Sequence, residues 1–275
     1  MNEWAQGGRN ILSKKEDLPQ QEREQMEHLV ALAEVYGKLV RTPAVDSTLP
    51  TPELTAQTPE SLLKRVAQEY KADPKSNEAL TRLNRTFYEI MGQRIDLEIA
   101  VPDCDWTAKE IDKMMPTVEG KAVKSQVLYF PSELRGRDGL VRLGRMFGLT
   151  NWSVREDTTI ASEDELPSDW IRIEGTIDAP NRNTWESDLK QHAKKHNLFG
   201  QNLNVYILGS RFAKLLEDGY FDQGPTYSRL PGSRYGGRLV DAHCYSHGGL
   251  HVCSDLNPDD RNSDIGARFA GVKSS

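Results

Sequence analysis

Three histidines (His243, His247, His251) and two cysteines (Cys244, Cys253) crowd into one short stretch near the C-terminus, with Asp241 before them and Asp255 after. These residue types can ligate zinc. Cys253, with His251 or His243 and Asp255 near it, also has the parts of a cysteine nucleophile with a histidine base. Spacing weighs against both. The chain has no Cys-x2-Cys pair, and alternation along a strand would turn Cys244 away from His243 and His251. A Cys–His pair on an open strand face also lacks the protected site that lowers a thiol pKa. Calcium fares no better. Asp255-x-Asn257-x-Asp259 begins like an EF-hand loop, but Asp260 takes the glycine position and Gly266 the bidentate glutamate position. The expectation is therefore no catalytic residue, no metal and no cofactor, with a zinc site as the alternative for the His/Cys cluster.

The cluster belongs to a segment with an unusual alphabet. No Lys, Glu, Gln, Trp or Met occurs from Gly224 to Val272, although residues 1–223 hold 57 of those five types. At the earlier frequency, such an absence would arise by chance about once in a million. Tyr, Arg, Leu, Val and Phe all remain, so the segment is restricted without being low in complexity. Its Arg229, Arg234, Arg238, Arg261 and Arg268 are balanced by Asp241, Asp255, Asp259, Asp260 and Asp264, and the whole chain carries a net charge of -6. Neither balance attracts nucleic acid, and none is expected as a partner.

The element that positions these residues reads as a hairpin over Val240–Leu256, turning at His247-Gly248-Gly249. Period-two alternation puts Val240, Ala242, Cys244, Leu250, Val252 and Leu256 on one small aliphatic face. Asp241, His243, Tyr245, His251, Cys253 and Asp255 fall on the other. A polar, turn-rich loop follows from Asn257 to Asp264, and Ile265–Phe269 reads as a short strand that closes the sheet.

Upstream, the pattern predicts a mostly helical region over residues 1–100. Met26, Leu29, Val30, Ala33, Tyr36 and Val40 form one apolar stripe, and Leu80, Leu83, Phe87, Ile90 and Met91 form another. Thr42–Glu60 is a Pro-punctuated linker, and Thr58-Pro59-Glu60 can cap a helix running to Glu69. Residues 101–165 are an uncertain connecting region. Within it, Thr107–Met115 reads as a short helix, Val127–Phe130 as a strand, and Leu140–Leu149 as either. From 166 on, Trp170–Ile177 alternates like a half-buried strand. A helix capped by Asn183 or Thr184 runs toward Asn197, Leu203–Leu208 reads as a short strand, and Ser210 caps a last helix. No run of 18 apolar residues exists and no apolar leader opens the chain, so neither membrane insertion nor a secretory signal is expected.

The ending Asp260-Arg261-Asn262-Ser263-Asp264-Ile265-Gly266-Ala267-Arg268-Phe269 resembles the Asn-rich "IGFR"-type ending of C-type-lectin-fold domains of the formylglycine-generating-enzyme-like group. Within that group it is most similar to the variable proteins of diversity-generating retroelements. Gly232-Ser233-Arg234-Tyr235-Gly236-Gly237 stands where that family has a "GGSW" motif, without the Trp, and Ala267 stands where the family usually has Phe. The resemblance covers about residues 165–272. It implies an α+β fold with a C-type-lectin-like domain over 166–275 and a variable region over about 224–272. In that family, adenine-directed mutagenesis rewrites AAC-type codons into a set that cannot encode Lys, Glu, Gln, Trp or Met. The implied role is binding, not catalysis, with formylglycine-generating-enzyme-like chemistry as the enzymatic alternative. The partner would be a protein or surface ligand. The implied variable positions are Tyr235, Asp241, His243, Tyr245, His247, His251, Cys253, Asp255, Asn257, Asn262 and Asp264. Mixed Tyr, His, Asp and Asn suits such a surface. Self-association through the N-terminal helices would add multivalency, and a cytoplasmic or virion-associated location is expected.

Overall fold

The computed structural model describes residues 58–149, 161–162, 166–254 and 261–273, with 161–162 described by backbone alone. All of these lie in one compact unit, residues 56–275. The apolar stripe expected over 26–40, most of the Pro-rich linker, and the site residues Asp255 and Asn257 lie outside them. The described fold is mixed α and β.

Helix α1 (Pro59–Ala72) starts where Thr58 accepts a hydrogen bond from the Ser61 N–H at 3.2 Å, with Pro59 in the first turn. Helix α2 (Asn77–Gln93) starts at Ser76, whose hydroxyl accepts from the Ala79 N–H. Both helices bury their stripes in the same hydrophobic core that the sheets use, which runs from Leu63 to Ala270. Phe87 packs its ring 4.2 Å from that of Phe212. The short helix α3 (Ala108–Ile111) is closed by a Thr107–Glu110 capping box. Strands β1 (Met115–Pro116) and β2 (Ala122–Val123) pair antiparallel. The segment 140–149, open between strand and helix in the sequence, is helix α4 (Gly136–Met146), with Leu140, Leu143 and Met146 buried.

One sheet runs β3 (Ser125–Phe130), β5 (Asp169–Glu174), β11 (Phe269–Val272), β6 (Phe199–Gly200). The predicted half-buried strand over Trp170–Ile177 ends at Glu174 and is buried on both faces from Trp170 on, while β3 and β11 pair with its two edges. Arg172 on this strand lies over the Trp106 ring at 4.7 Å, so its apparent polar face is covered. Helix α5 (Glu186–His196) begins after Trp185, later than the expected caps; Asp188 closes its first turn by accepting from the Trp185 N–H. The expected strand at Leu203–Leu208 is the first half of helix α6 (Leu203–Glu217), capped by Asn202. That half-helix is buried all round, so no 3.6-residue period shows in its sequence. Ser210, expected as a cap, sits inside the helix, accepts from the Phe221 N–H and lies 3.2 Å from the Cys244 Sγ.

The second sheet runs β10 (Ile265–Ala267), β7 (Tyr227–Tyr235), β8 (Arg238–Cys244), β9 (Leu250–Cys253), with β4 (Ala161–Ser162) pairing onto β7. The closing segment 265–269 does not form one strand. It pairs with β7 in parallel up to Ala267, and the chain then passes into β11 of the other sheet at Arg268. Arg268 is fully buried and binds both halves. Its Nε donates to the Ser228 hydroxyl at 2.8 Å, and its two terminal nitrogens donate to the carbonyls of Thr176 (2.8 Å) and Ile177 (2.9 Å) and to Asp222 (3.2 Å). Its guanidinium stacks 3.9 Å over the Phe221 ring. Asp222 in turn accepts from Tyr206, Thr226 and Ser228, so the buried charge pair is saturated with hydrogen bonds. Beside it, Gly266 passes so close to Pro180 that an added Cβ would lie 2.1 Å from that carbonyl oxygen. That contact gives a steric reason for glycine in the Ile-Gly-Ala-Arg ending.

Candidate functional site

Strands β8 and β9 form the expected hairpin, in the register Asp241–Cys253, Ala242–Val252, His243–His251, Cys244–Leu250. Its inner face packs as predicted: Val240, Ala242, Cys244, Leu250 and Val252 are all buried in the core. The turn is held by main-chain bonds, from the Tyr245 N–H to the Gly249 carbonyl and from the Gly248 N–H to the Tyr245 carbonyl, each 2.8 Å. Gly248 takes a positive φ of 89° there. Arg211 on α6 donates to the Gly248 carbonyl at 2.7 Å, and the Cys244 N–H donates to the Phe221 carbonyl. The hairpin is therefore fixed through backbone groups and its buried face.

The outer face divides into two cross-strand rows. The first joins Tyr227, His243 and His251, with ring centroids 4.3 Å and 5.0 Å apart in turn. Tyr245 extends it edge-on to His243 at 4.8 Å, and His247 stacks flat on Tyr245 at 5.3 Å. Exposure rises along this array, from buried His243 to exposed Tyr245 and His247 at the tip. Burial pushes the His243 pKa down, and the neighbouring His251 adds to the effect, while Asp222 pulls the other way. His243 Nδ1 is buried and has no hydrogen-bond partner among the described residues. Tyr227 joins the array although sequence reading did not select it. The hairpin pattern began at Val240, and the signal that points to Tyr227 is its pairing through β7 onto β8.

The second row is Ala267, Arg229, Asp241 and Cys253. Here the outward reading of Asp241 is overturned. It occupies the predicted strand face, but that face is covered at this point, and Asp241 is only 1% exposed. Arg229 Nε lies 3.8 Å from it, and Arg229 also reaches the Thr184 carbonyl. Two of the segment's five arginines, Arg229 and Arg268, are thus buried partners of aspartates.

The other predicted positions scatter. Tyr235 is exposed, but it sits beside the Gly236-Gly237 turn at the far end of the β7–β8 ribbon. Five residues of β8 separate that end from His243, roughly 17 Å. Asn262 and Asp264 are exposed on the approach to β10. Asn262 caps its own turn by accepting from the Asp264 N–H, and the Asp264 carbonyl accepts from the Tyr227 N–H, which puts this turn next to the aromatic row. Cys253 is half-buried and Cys244 fully buried, on opposite faces, and neither is in a disulfide among the described residues. Among the described residues, no group of three His, Cys, Asp or Glu side chains is placed to hold a metal ion, and no helix is long and apolar enough to cross a membrane.

The structure therefore brings together His243, Tyr245, His247 and His251 with Tyr227. It separates Tyr235 from them and withdraws Asp241 into the fold.

No protein-family model, no curated protein and no solved structure matches this chain.

Proposed function

We propose that this protein binds a partner macromolecule through the tip and outer face of the β8–β9 hairpin, and that it is a diversity-generating-retroelement variable protein with a C-type-lectin-like domain. The observation that carries this reading is the division of labour within the hairpin. Its backbone is held by main-chain hydrogen bonds and an aliphatic inner face, while Tyr245 and His247 project exposed from the tip. Side chains there can change without disturbing what holds the strands. Aromatic and imidazole groups in that array supply contact area and adaptable hydrogen bonding at low entropic cost. The missing Lys, Glu, Gln, Trp and Met from Gly224 to Val272 support diversification of the segment. Tyr245, His247 and His251 are the leading variable positions, with Cys253, Asn262 and Asp264 as further candidates and Tyr235 apart from them at the other end of the β7–β8 ribbon. Asp241 is set aside because it pairs with buried Arg229. Binding without catalysis, in the cytoplasm or on a virion, accompanies this reading.

The decisive experiment is genomic. The reading expects a near-copy of the DNA encoding residues 224–272, differing only at adenines, beside a reverse transcriptase gene. Sibling sequences that vary equally at Lys-encoding and Asn-encoding codons, with no such copy, would sink it.

A further inference from the structure

The hairpin tip is also one wall of a cleft of about 950 Å³ whose other walls are α1, α2, the end of α4, and α6. Five cations line it: Lys64, Lys71, Arg94, Arg211 and Lys214. Among the described residues, Asp218 is the only lining carboxylate. This reverses the sign of a chain whose net charge is -6. Two of the cations are already engaged, Lys214 with Asp218 at 2.8 Å and Arg94 with Glu60 at 3.6 Å. Lys64 and Lys71 form no ion pair among the described residues, and both lie near enough to Asp218 to add to the lowering of its carboxyl pKa that Lys214 leads. Arg211 is held in place by the Gly248 carbonyl and by the Tyr220 and Phe147 rings, 4.8 Å and 5.2 Å from its guanidinium, yet its buried Nε has no hydrogen-bond partner among the described residues. The described lining thus carries an excess of positive charge that is partly pre-oriented.

We infer that this cleft binds an acidic peptide segment of the partner, one that carries apolar side chains between its carboxylates. The inference deepens the proposed function by naming the chemistry the hairpin tip would help to recognise. Three observations select a peptide. First, the cations stand around partly exposed apolar groups, Phe147, Leu149 and Leu215, which a small inorganic anion would leave uncovered. Second, a single-stranded nucleic acid needs open ring faces to stack on, and the inner rings do not offer them. Phe87 is buried, and Tyr220 is covered by Arg211 and Lys214. Third, Lys64 and Lys71 lie seven positions apart on α1, roughly 10 Å at helical rise, which is the reach of about three residues of an extended chain. Tyr245 and His247, on the hairpin side, would contact the same segment and adjust its selection.

The test is fluorescence anisotropy on the full chain, with a labelled short peptide alternating Glu and Leu. Its Lys/Leu counterpart and an oligothymidylate serve as comparison probes. The Glu/Leu peptide should bind best and should weaken as salt rises. Lys64→Glu/Lys71→Glu should weaken it at least about tenfold with an unchanged unfolding midpoint. Lys109→Glu/Lys121→Glu, at exposed positions that do not line the cleft, should leave binding as it was. Equal binding of the Lys/Leu peptide, tighter binding of the oligothymidylate, or indifference to the Lys64/Lys71 reversal would each overturn the inference. The two readings fail separately. Loss of peptide binding on lysine reversal supports the cleft even if the genomic near-copy is absent, and a near-copy beside a chain that ignores the peptide leaves only the variable surface.

Discussion

Two regions of this molecule use the same residue types in opposite ways. Under β7, Arg268, Asp222, Ser228, Thr226 and Tyr206 form a buried network in which each member is bonded to others. At the hairpin tip, Tyr245 and His247 stack on each other at the surface. Tyr is an internal donor in one place and an exposed ring in the other. Asp is likewise a buried acceptor at 222 and an exposed side chain at 264. Residue type therefore says little about which positions are free to change. What separates the regions is whether the side chain or the backbone makes the holding contact.

The largest expected effect is at Arg268. Arg268→Met leaves Asp222 charged in the interior without its cation, and should cost about 3–5 kcal/mol, read as a lower urea midpoint. A neutral result would mean the network does not hold the sheets together. Asp241→Ala follows, at about 3 kcal/mol, because Arg229 loses its buried carboxylate. Were Asp241 a position free to vary, this substitution would leave the denaturation curve in place.

Glu174 sharpens the contrast through pH. Burial pushes its pKa up to about 7 from the usual 4.5, against the pull of the Phe269 N–H, Asn181 and Arg268. The folded state then holds an extra proton between those two values. Its contribution to stability is full below about 4.5 and is lost as pH rises to about 7. Glu174→Gln should flatten that part of the stability–pH curve, although the amide can accept from only one of the two donors that Glu174 now satisfies. A slope unchanged in the variant assigns the proton to another group. The smallest effect belongs to the tip. Tyr245→Ala/His247→Ala should shift stability by no more than about 0.5 kcal/mol, and a drop of several kcal/mol in differential scanning would place those rings in the core instead.

The legible parts of the sequence were those with a strong local pattern. Helix α1 showed through Thr58-Pro59-Glu60, helix α2 through its apolar stripe, and the β8–β9 pairing through strict alternation around a Gly-Gly turn. The illegible parts were those where burial erased the pattern. Leu203–Leu208 looks like a strand because a helix surrounded by core has no polar face. Strand β5 looks half-exposed because Arg172 and Glu174 are polar, yet both are buried among partners. Asp241 failed for the same reason: alternation gives a residue's face, but not what lies over that face. The cationic cleft was out of reach, since it gathers residues from 63 to 250 that only the packing of α1 against α6 brings together.

Arg268 makes most of its hydrogen bonds to the carbonyls of 174, 176 and 177, not to side chains. A main-chain acceptor survives almost any substitution at its own position. The anchor therefore constrains very few letters: an aspartate at 222, a hydroxyl at 228, and the Gly-Ala-Arg step ending at 268. Distant kin could diverge almost everywhere else and still close the two sheets in this way. These few positions, with their spacing, are the fingerprint by which such kin would be found when overall identity has faded.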